Sequence, residues 1–368
     1  MDQRGQASRS SGYCVSSSRV SRFTVFSKDT GIAKVKFRAQ LQPARNRGRK
    51  TIEGVQKLNI YVDSRINDDD RRKQIFQGAI FFHSPCASAV KLCQLARDLV
   101  ERALAPLDPR KVQNALQAER TAEILSVLKP KFIHHPKAKE YIQGMLAELG
   151  CHLGKTYFDV PRLRTAFPGD YLKSGIAYAF HPHRDTWYSA PFNQINWWMP
   201  IYPINAENCM AIHPLHWGKP IRNGSSQYNY FRWNLESRSS AAQHVKSDTR
   251  VQPRPEEPVD LEPQFRLICE PGAAYQFSAA QLHSTVPNTS DLTRYSIDFR
   301  TVHLDDVWSK TGAPNIDSAS TGTSMGDFLR GTDFSRLPSQ ALALYDDGTE
   351  SQYRSPAATP ERAPRLET

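Results

Sequence analysis

The 368-residue chain has no Cys-x-x-Cys pair and no long run of apolar residues. Its six cysteines are scattered, which argues against a zinc ribbon or a disulfide scaffold. No segment approaches the roughly 18 consecutive apolar residues of a membrane helix, and the N-terminus lacks the apolar stretch of a secretory signal. We therefore expect reduced thiols and a cytoplasmic protein with no membrane partner.

Acidic residues are scarce in the first 50 positions. These positions hold 12 of the 48 Lys and Arg residues but only 2 of the 37 Asp and Glu residues, so the rest of the chain is close to neutral. Residues 1–50 are predicted to form a basic, flexible arm. The neutral body argues against nucleic acid as the main partner, whereas the arm leaves salt-sensitive binding of DNA or RNA open.

Apolar periodicity indicates a helical part after residue 87. Before it, short strands are predicted at 57–62 and 78–82, and the charged segment 68–73 between them is expected to be a solvated turn or a helix start. Helical spacing begins at Ala87, an Asp108-Pro109 capping signal opens a second helix, and 136–149 forms a third. A helical layer at about 87–150 therefore precedes the candidate catalytic part.

After Gly150 the sequence is rich in aromatic and β-branched residues, interrupted by Pro and Gly. This pattern predicts a mainly β fold with α, a double-stranded β-helix of the jelly-roll or cupin-like type with an N-terminal helical layer. We expect one domain over 51–332, with its barrel at about 151–305, a polar insertion at about 223–263 at the barrel mouth, and a loosely ordered polar tail over 333–368. The predicted strands are 157–164, 175–181, 194–204, 210–213, 265–269, 273–277 and 294–302.

A His-x-Asp pair stands at the end of a predicted strand. Positions i and i+2 of an extended chain point to the same side, so His183 and Asp185 can reach one ion. One imidazole and one carboxylate make up two-thirds of the 2-His-1-carboxylate triad that binds ferrous iron. His283, 98 residues after Asp185, is the candidate second imidazole. His181 forms a His-x-His pair with His183 and is the alternative ligand.

An arginine suited to carboxylate binding follows the third candidate ligand. Arg294 comes eleven residues after His283, and its guanidinium fork fits a carboxylate. Ser296, on the same strand face, can add a hydroxyl. Arg300 shares this face and is the competing anchor, with a salt bridge to Asp298 as its alternative role. The spacing favours Arg294.

Together these segments resemble the non-haem Fe(II)/2-oxoglutarate-dependent oxygenases, and more narrowly their phytanoyl-CoA dioxygenase-like branch. The resemblance covers about residues 157–303 and is carried by His183-Arg184-Asp185, residues 207–218 and residues 271–294. It implies that His183, Asp185 and His283 bind Fe(II) and that Arg294 binds the far carboxylate of 2-oxoglutarate. Cys209 departs from the branch, which usually has Gly there, so the turn after that strand is expected to differ in shape.

The implied enzyme is an Fe(II)- and 2-oxoglutarate-dependent dioxygenase that uses O2 and releases succinate and CO2. Asp185 is present where halogenating relatives have a small residue, so we expect hydroxylation of a small metabolite or natural-product intermediate, or another oxidative outcome. Asn196 on the next predicted strand is a candidate hydrogen-bond partner of 2-oxoglutarate. Two alternatives remain: a catalytically inactive barrel that acts as a ligand-binding or regulatory module, and an oxygenase that acts on nucleic acid.

Overall fold

The computed structural model describes residues 13–16, 19–22, 58–177, 181–237, 239–245, 247–250 and 252–353. Most of the predicted basic arm at 1–50 therefore lies outside the described residues, as does the end of the predicted tail at 354–368. Within the arm, the strands β1 (Tyr13–Ser16) and β2 (Arg19–Arg22) pair as an antiparallel hairpin.

The remaining strands and the helices form a mixed α/β arrangement, in which three long helices precede most of the strands. The strands are β3 (Ile60–Val62), β4 (Ile80–His83), β5 (Thr156–Phe158), β6 (Arg162–Ala166), β7 (Ile195–Pro200), β8 (Met210–Ile212), β9 (Phe265–Leu267), β10 (Ala274–Ser278), β11 (His283–Thr285), β12 (Arg294–His303) and β13 (Leu329–Arg330). The helices are α1 (Asp68–Phe76), α2 (Ala87–Leu104), α3 (Ala118–Ile133), α4 (Pro136–Glu148), α5 (Tyr230–Glu236), α6 (Leu304–Ser309), α7 (Ser339–Ala343) and α8 (Glu350–Tyr353). Among the described residues, no helix is long and apolar enough to cross a membrane.

A large sheet and a small sheet face each other. The large sheet has the order β13-β5-β12-β7-β10-β4-β3, with β6 also paired to β12, and its strands are antiparallel except for β3 and β4. The small sheet has the antiparallel order β11-β8-β9. An apolar cluster joins the two, with Trp198 and Phe277 from the large sheet and Ile212 and Leu267 from the small one. The predicted combination of helices with a large antiparallel sheet is confirmed at this level.

The helices α2, α3 and α4 cover the outer face of the large sheet. Helix α2 buries Leu92, Ala96 and Val100, whose spacing of about one helical turn makes one apolar stripe. This stripe belongs to the same core as Ile297 and Phe299 of β12. Because side chains alternate along a strand, the even-numbered residues of β12 face the opposite side, toward the small sheet. The helical layer thus fixes which residues of β12 point into the interior between the sheets.

Local capping explains the outcome of two sequence-based expectations: a helix start at 68–73 agrees with the structure, and a second helix beginning at Asp108 does not. Residues 68–73 begin helix α1, because the Asn67 side chain accepts a hydrogen bond from the Asp70 amide. The second predicted helix does not begin at Asp108, which caps only a 3-10 turn, Pro109–Asn114. Helix α3 begins later, at Ala118. In the 3-10 turn the carbonyls of Pro109 and Arg110 accept hydrogen bonds from the Tyr295 hydroxyl and the Thr293 amide, so tertiary contacts replace the α-helical ladder.

Two further predictions are wrong. The expected strand at 175–181 begins instead with a 3-10 turn, Gly175–Ala177. Gly175 adopts a φ of 59°, which a strand cannot accommodate. Residues 178–180 lie outside the described residues. The expected loosely ordered tail is packed over 333–353. Leu337 and Ala341 are buried there in one cluster with Val302 and Val307.

Candidate metal and co-substrate site

The backbone brings the two candidate histidine ligands together. The His183 amide donates to the His283 carbonyl and the His283 amide donates to the His183 carbonyl, both at 3.0 Å. In such an antiparallel pair both side chains stand on the same face of the sheet. The two imidazole centroids accordingly lie 4.3 Å apart.

The Asp185 carboxylate completes a three-residue group. Its Oδ1 atom lies 3.4 Å from Nε2 of His183 and 3.7 Å from Nε2 of His283. The three ligand atoms lie within 4.8 Å of one another, which is close enough for one ion to contact all three. The structure therefore places all three predicted ligand residues around one point.

Hydrogen bonds determine which nitrogen of each histidine faces that point. Nδ1 of His183 lies 2.8 Å from the His181 carbonyl, and Nδ1 of His283 lies 3.0 Å from the Gln281 carbonyl. A carbonyl can only accept, so each Nδ1 carries the proton of its hydrogen bond, and Nε2 is the nitrogen that faces the Asp185 carboxylate. Such outer hydrogen bonds are typical of metal-ligating histidines.

The charge state of the group also suits a cation. Burial lowers the pKa of His283 to about 4, so its imidazole is neutral at neutral pH. Burial acts to raise the pKa of Asp185, but the contacts with the His183 and His283 side chains outweigh it and lower this pKa to about 2. The ionised Asp185 carboxylate and the lone pair of the neutral His283 ring then face the same point as Nε2 of His183, an arrangement that a cation would stabilise.

A second group of potential ligands, Asp68, Asp69 and His303, is equally close-packed. Here Nη1 of Arg72 lies 2.6 Å from Asp68 and Nη2 lies 2.8 Å from Asp69. The guanidinium already supplies the positive charge that these carboxylates need. We therefore assign no metal to this second group.

Arg184, between the two ligands of the His-x-Asp pair, anchors this segment to the fold. Its side chain is 1% exposed, and Nε lies 3.0 Å from Oδ2 of Asp317. The other guanidinium nitrogens donate to the carbonyls of Ala280, His216 and Lys219. The ligand segment is thus fixed by a buried ion pair as well as by the backbone bridge.

We expect Asp317→Ala to lower the free energy of unfolding by about 3–5 kcal/mol, because Arg184 keeps a buried charge without its carboxylate partner. Chemical denaturation of the metal-free protein would measure this. The control is Glu123→Ala, which removes an exposed ion pair with Arg120 and should have little effect. Equal denaturation midpoints for the two variants would contradict the assigned role.

Arg294 and Ser296 lie on the interior face of β12. Arg294 is 4% exposed, and its Nη1 donates to the carbonyl of Cys209 at 2.7 Å. Among the described residues, Nε of Arg294 has no hydrogen-bond partner, and neither has the fully buried hydroxyl of Ser296. Burial lowers the pKa of Arg294 to about 10, which reflects an incompletely compensated buried charge. A cation and a hydroxyl with unused donors on one strand face suit a carboxylate.

Arg300, the competing candidate for binding the carboxylate of 2-oxoglutarate, already forms ion pairs with carboxylates of the chain. Its Nη1 lies 3.1 Å from Asp159, its Nη2 lies 3.5 Å from Asp298, and its Nε lies 3.9 Å from Asp185. Within the described part of the chain, Arg294 forms no ion pair with a carboxylate, and its surroundings therefore favour it as the anchor for an incoming one.

Asn196 lies opposite Arg300 in the pairing of β7 with β12. Its side chain lowers the pKa of Asp185 and so helps to keep that carboxylate ionised. A contact between Asn196 and 2-oxoglutarate remains a prediction. Gln194, which the sequence reasoning missed, donates from Nε2 to Oδ2 of Asp185 at 3.3 Å and to Oδ1 of Asn196 at 2.9 Å. Its i, i+2 spacing from Asn196 was the available signal.

Two aromatic side chains flank His183. Nε2 of His181 contacts the Pro253 carbonyl, and the His181 ring centroid lies 5.9 Å from that of His183, so His181 does not join the three-residue group. The ring of Tyr188 packs edge-on against His183 at 5.4 Å. Pro253, within the predicted insertion, also accepts a hydrogen bond from the Tyr188 hydroxyl. The insertion therefore contacts the wall of the site.

Comparisons with known proteins find no matching family model and no matching curated protein. Similar solved structures include EvdO2 from Micromonospora carbonacea var. aurantiaca complexed with 2-oxoglutarate, at 14% identity and a TM-score of 0.39, over 65% of this chain and 91% of that one. The non-heme alpha ketoglutarate dependent epimerase SnoN from nogalamycin biosynthesis is 15% identical, with a TM-score of 0.34 over 74% of this chain and all of that one. The non-heme monooxygenase ThoJ is 14% identical, with a TM-score of 0.32 over 71% of this chain and 88% of that one. At such low similarity, function has to be inferred from the residues of the site.

Proposed function

We propose that residues 51–332 form an Fe(II)- and 2-oxoglutarate-dependent dioxygenase with a double-stranded β-helix fold, similar to the phytanoyl-CoA dioxygenase-like branch. The proposed reaction is oxidation of a small metabolite or natural-product intermediate, with hydroxylation as the expected outcome. The convergence of His183, Asp185 and His283 carries the proposal, and the buried Arg294, whose Nε has no hydrogen-bond partner among the described residues, supports it.

The residues present fit the two groups that this function needs. Two imidazoles and one carboxylate are the donor set of non-haem Fe(II) sites, and they leave coordination positions open. Arg294 and Ser296 offer buried donors for a carboxylate, as the far end of 2-oxoglutarate requires. Bound iron and 2-oxoglutarate supply the chemistry of O2 activation, in which 2-oxoglutarate is converted to succinate and CO2.

The chain itself supplies binding, orientation and exclusion of water. His183, Asp185 and His283 would hold the metal, and the carbonyls bonded to both Nδ1 atoms keep the imidazoles in their ligating tautomer. Arg294 would orient the co-substrate by charge-assisted hydrogen bonds that water reaches poorly, because its side chain is buried.

Anaerobic titration with ferrous iron and then 2-oxoglutarate would test the proposal. We expect one iron to bind per chain, a visible charge-transfer band to appear when 2-oxoglutarate is added, and succinate to form after admission of air. Absence of the band together with absence of succinate would support a catalytically inactive barrel instead. A substrate screen scored by succinate release would then narrow the substrate class.

A further inference from the structure

The two oxygens of the Asp185 carboxylate have different surroundings. Oδ1 faces Nε2 of His183 and Nε2 of His283, at 3.4 and 3.7 Å. Oδ2 faces donors: Nε2 of Gln194 at 3.3 Å and Nε of Arg300 at 3.9 Å. One oxygen is therefore directed to the candidate metal position and the other is directed away from it.

Gln194 is fixed by the backbone that also fixes Asp185. The Ala279 amide donates to the Gln194 carbonyl at 3.1 Å, and the Ala279 carbonyl accepts from the Asp185 amide at 2.9 Å. The peptide groups of Ala279 thus link the two residues. Gln194 is 2% exposed, and its Nε2 also donates to Asn196, which limits rotation of its amide.

Two other carboxylates, those of Asp159 and Asp298, contact Arg300 and fix its orientation. Its amide donates to Oδ1 of Asp159 at 2.7 Å, and its Nη1 lies 3.1 Å from Oδ2 of the same carboxylate. Asp298, two residues earlier on the same strand face, lies 3.5 Å from Nη2. These contacts orient the guanidinium so that Nε faces Asp185.

We propose that Gln194 and Arg300 are positioning residues that restrict Asp185 to ligation through Oδ1 alone; the inference rests on the proposed metal site. A carboxylate can bind a metal through one oxygen or through both. These contacts on Oδ2 favour the first mode, because that oxygen would have to give up its hydrogen bond from Gln194 and its ion pair with Arg300 to turn toward the ion. One-oxygen ligation leaves one more coordination position for the co-substrate or O2.

The test compares binding of Co(II), a spectroscopic probe for the iron site, by metal-free wild-type, Gln194→Leu and Arg300→Gln proteins under anaerobic conditions. We expect a roughly 10- to 100-fold loss of Co(II) affinity in both variants, which is the usual effect of losing an outer hydrogen bond to a metal ligand. The visible Co(II) spectrum should change at saturation, which a purely structural role would not cause. The control is Gln276→Leu, which removes another buried glutamine, hydrogen-bonded to His83, and should leave the spectrum unchanged.

Each result has a distinct meaning. Wild-type affinity and spectrum in both variants would overturn the positioning role and leave the metal site intact. No Co(II) binding by the wild-type protein would overturn the proposed function itself. If Gln194→Leu does not fold, Arg300→Gln decides alone: an altered spectrum in a folded protein supports the proposal, and an unaltered one refutes it.

Discussion

Asp185→Ala is expected to abolish metal binding and, with it, succinate formation. Asp185 is the one anionic member of the three-residue group, and its pKa of about 2 keeps it ionised throughout the neutral range. Without it, imidazoles alone would face a divalent ion. Because loss of an outer partner already costs roughly 10- to 100-fold in metal affinity, loss of the carboxylate ligand should exceed about 100-fold. Anaerobic Fe(II) or Co(II) titration measures the change.

His181→Ala is the matched control for this variant. His181 neighbours the site, but its Nε2 contacts the Pro253 carbonyl and its ring is not part of the three-residue group. Its removal should leave metal affinity within a few-fold of wild type. The ligand assignment would be wrong if His181→Ala lost the ion while His183→Ala retained it.

Arg294→Met is expected to raise the KM for 2-oxoglutarate by about 30-fold or more, with metal affinity unchanged. Removing one partner of a buried, hydrogen-bonded charge pair costs about 2–5 kcal/mol, and 2 kcal/mol corresponds to about 30-fold. Ser296→Ala should have a smaller effect in the same direction, because a single hydrogen bond to a charged group contributes about 1.5–3 kcal/mol. Steady-state succinate release and Co(II) titration separate the two quantities.

Arg266→Met provides a control with the same change of side chain. The Arg266 guanidinium donates to the Ala206 carbonyl at the edge of the small sheet and does not belong to the proposed site. We expect the Arg266→Met variant to have the same KM for 2-oxoglutarate as the wild-type protein. A wild-type KM in Arg294→Met would move the anchoring role to another residue, and Arg300 would be examined first.

Only part of the three-membered group follows from local pattern in the sequence. His183 and Asp185 follow the i, i+2 rule of extended chain, whereas the choice of His283 depends on the order of the downstream segments and on the family resemblance. Local pattern could not identify the contacts of Arg300 with Asp185, because these depend on the register that places Arg300 opposite Asn196. That register is a long-range property of β7 and β12.

In the fold, too, elements with a local sequence signal could be predicted, whereas a segment whose packing depends on distant residues could not. Helices α2 and α4 begin at Ala87 and Pro136, as predicted, because an apolar stripe and an N-terminal proline are local signals. The packed segment after residue 333 gave no such signal. Its overall composition is polar, and burial of Leu337 depends on apolar partners such as Val307 that belong to another part of the chain.

The reciprocal backbone hydrogen bonds between His183 and His283 close a long loop of the polypeptide without using a metal ligand. In many small metalloproteins the metal itself makes that closure, and a chelator unfolds them. Here the two segments are joined by main-chain hydrogen bonds. We therefore expect the protein to keep its tertiary structure when a chelator removes the proposed metal, and to bind metal again without refolding.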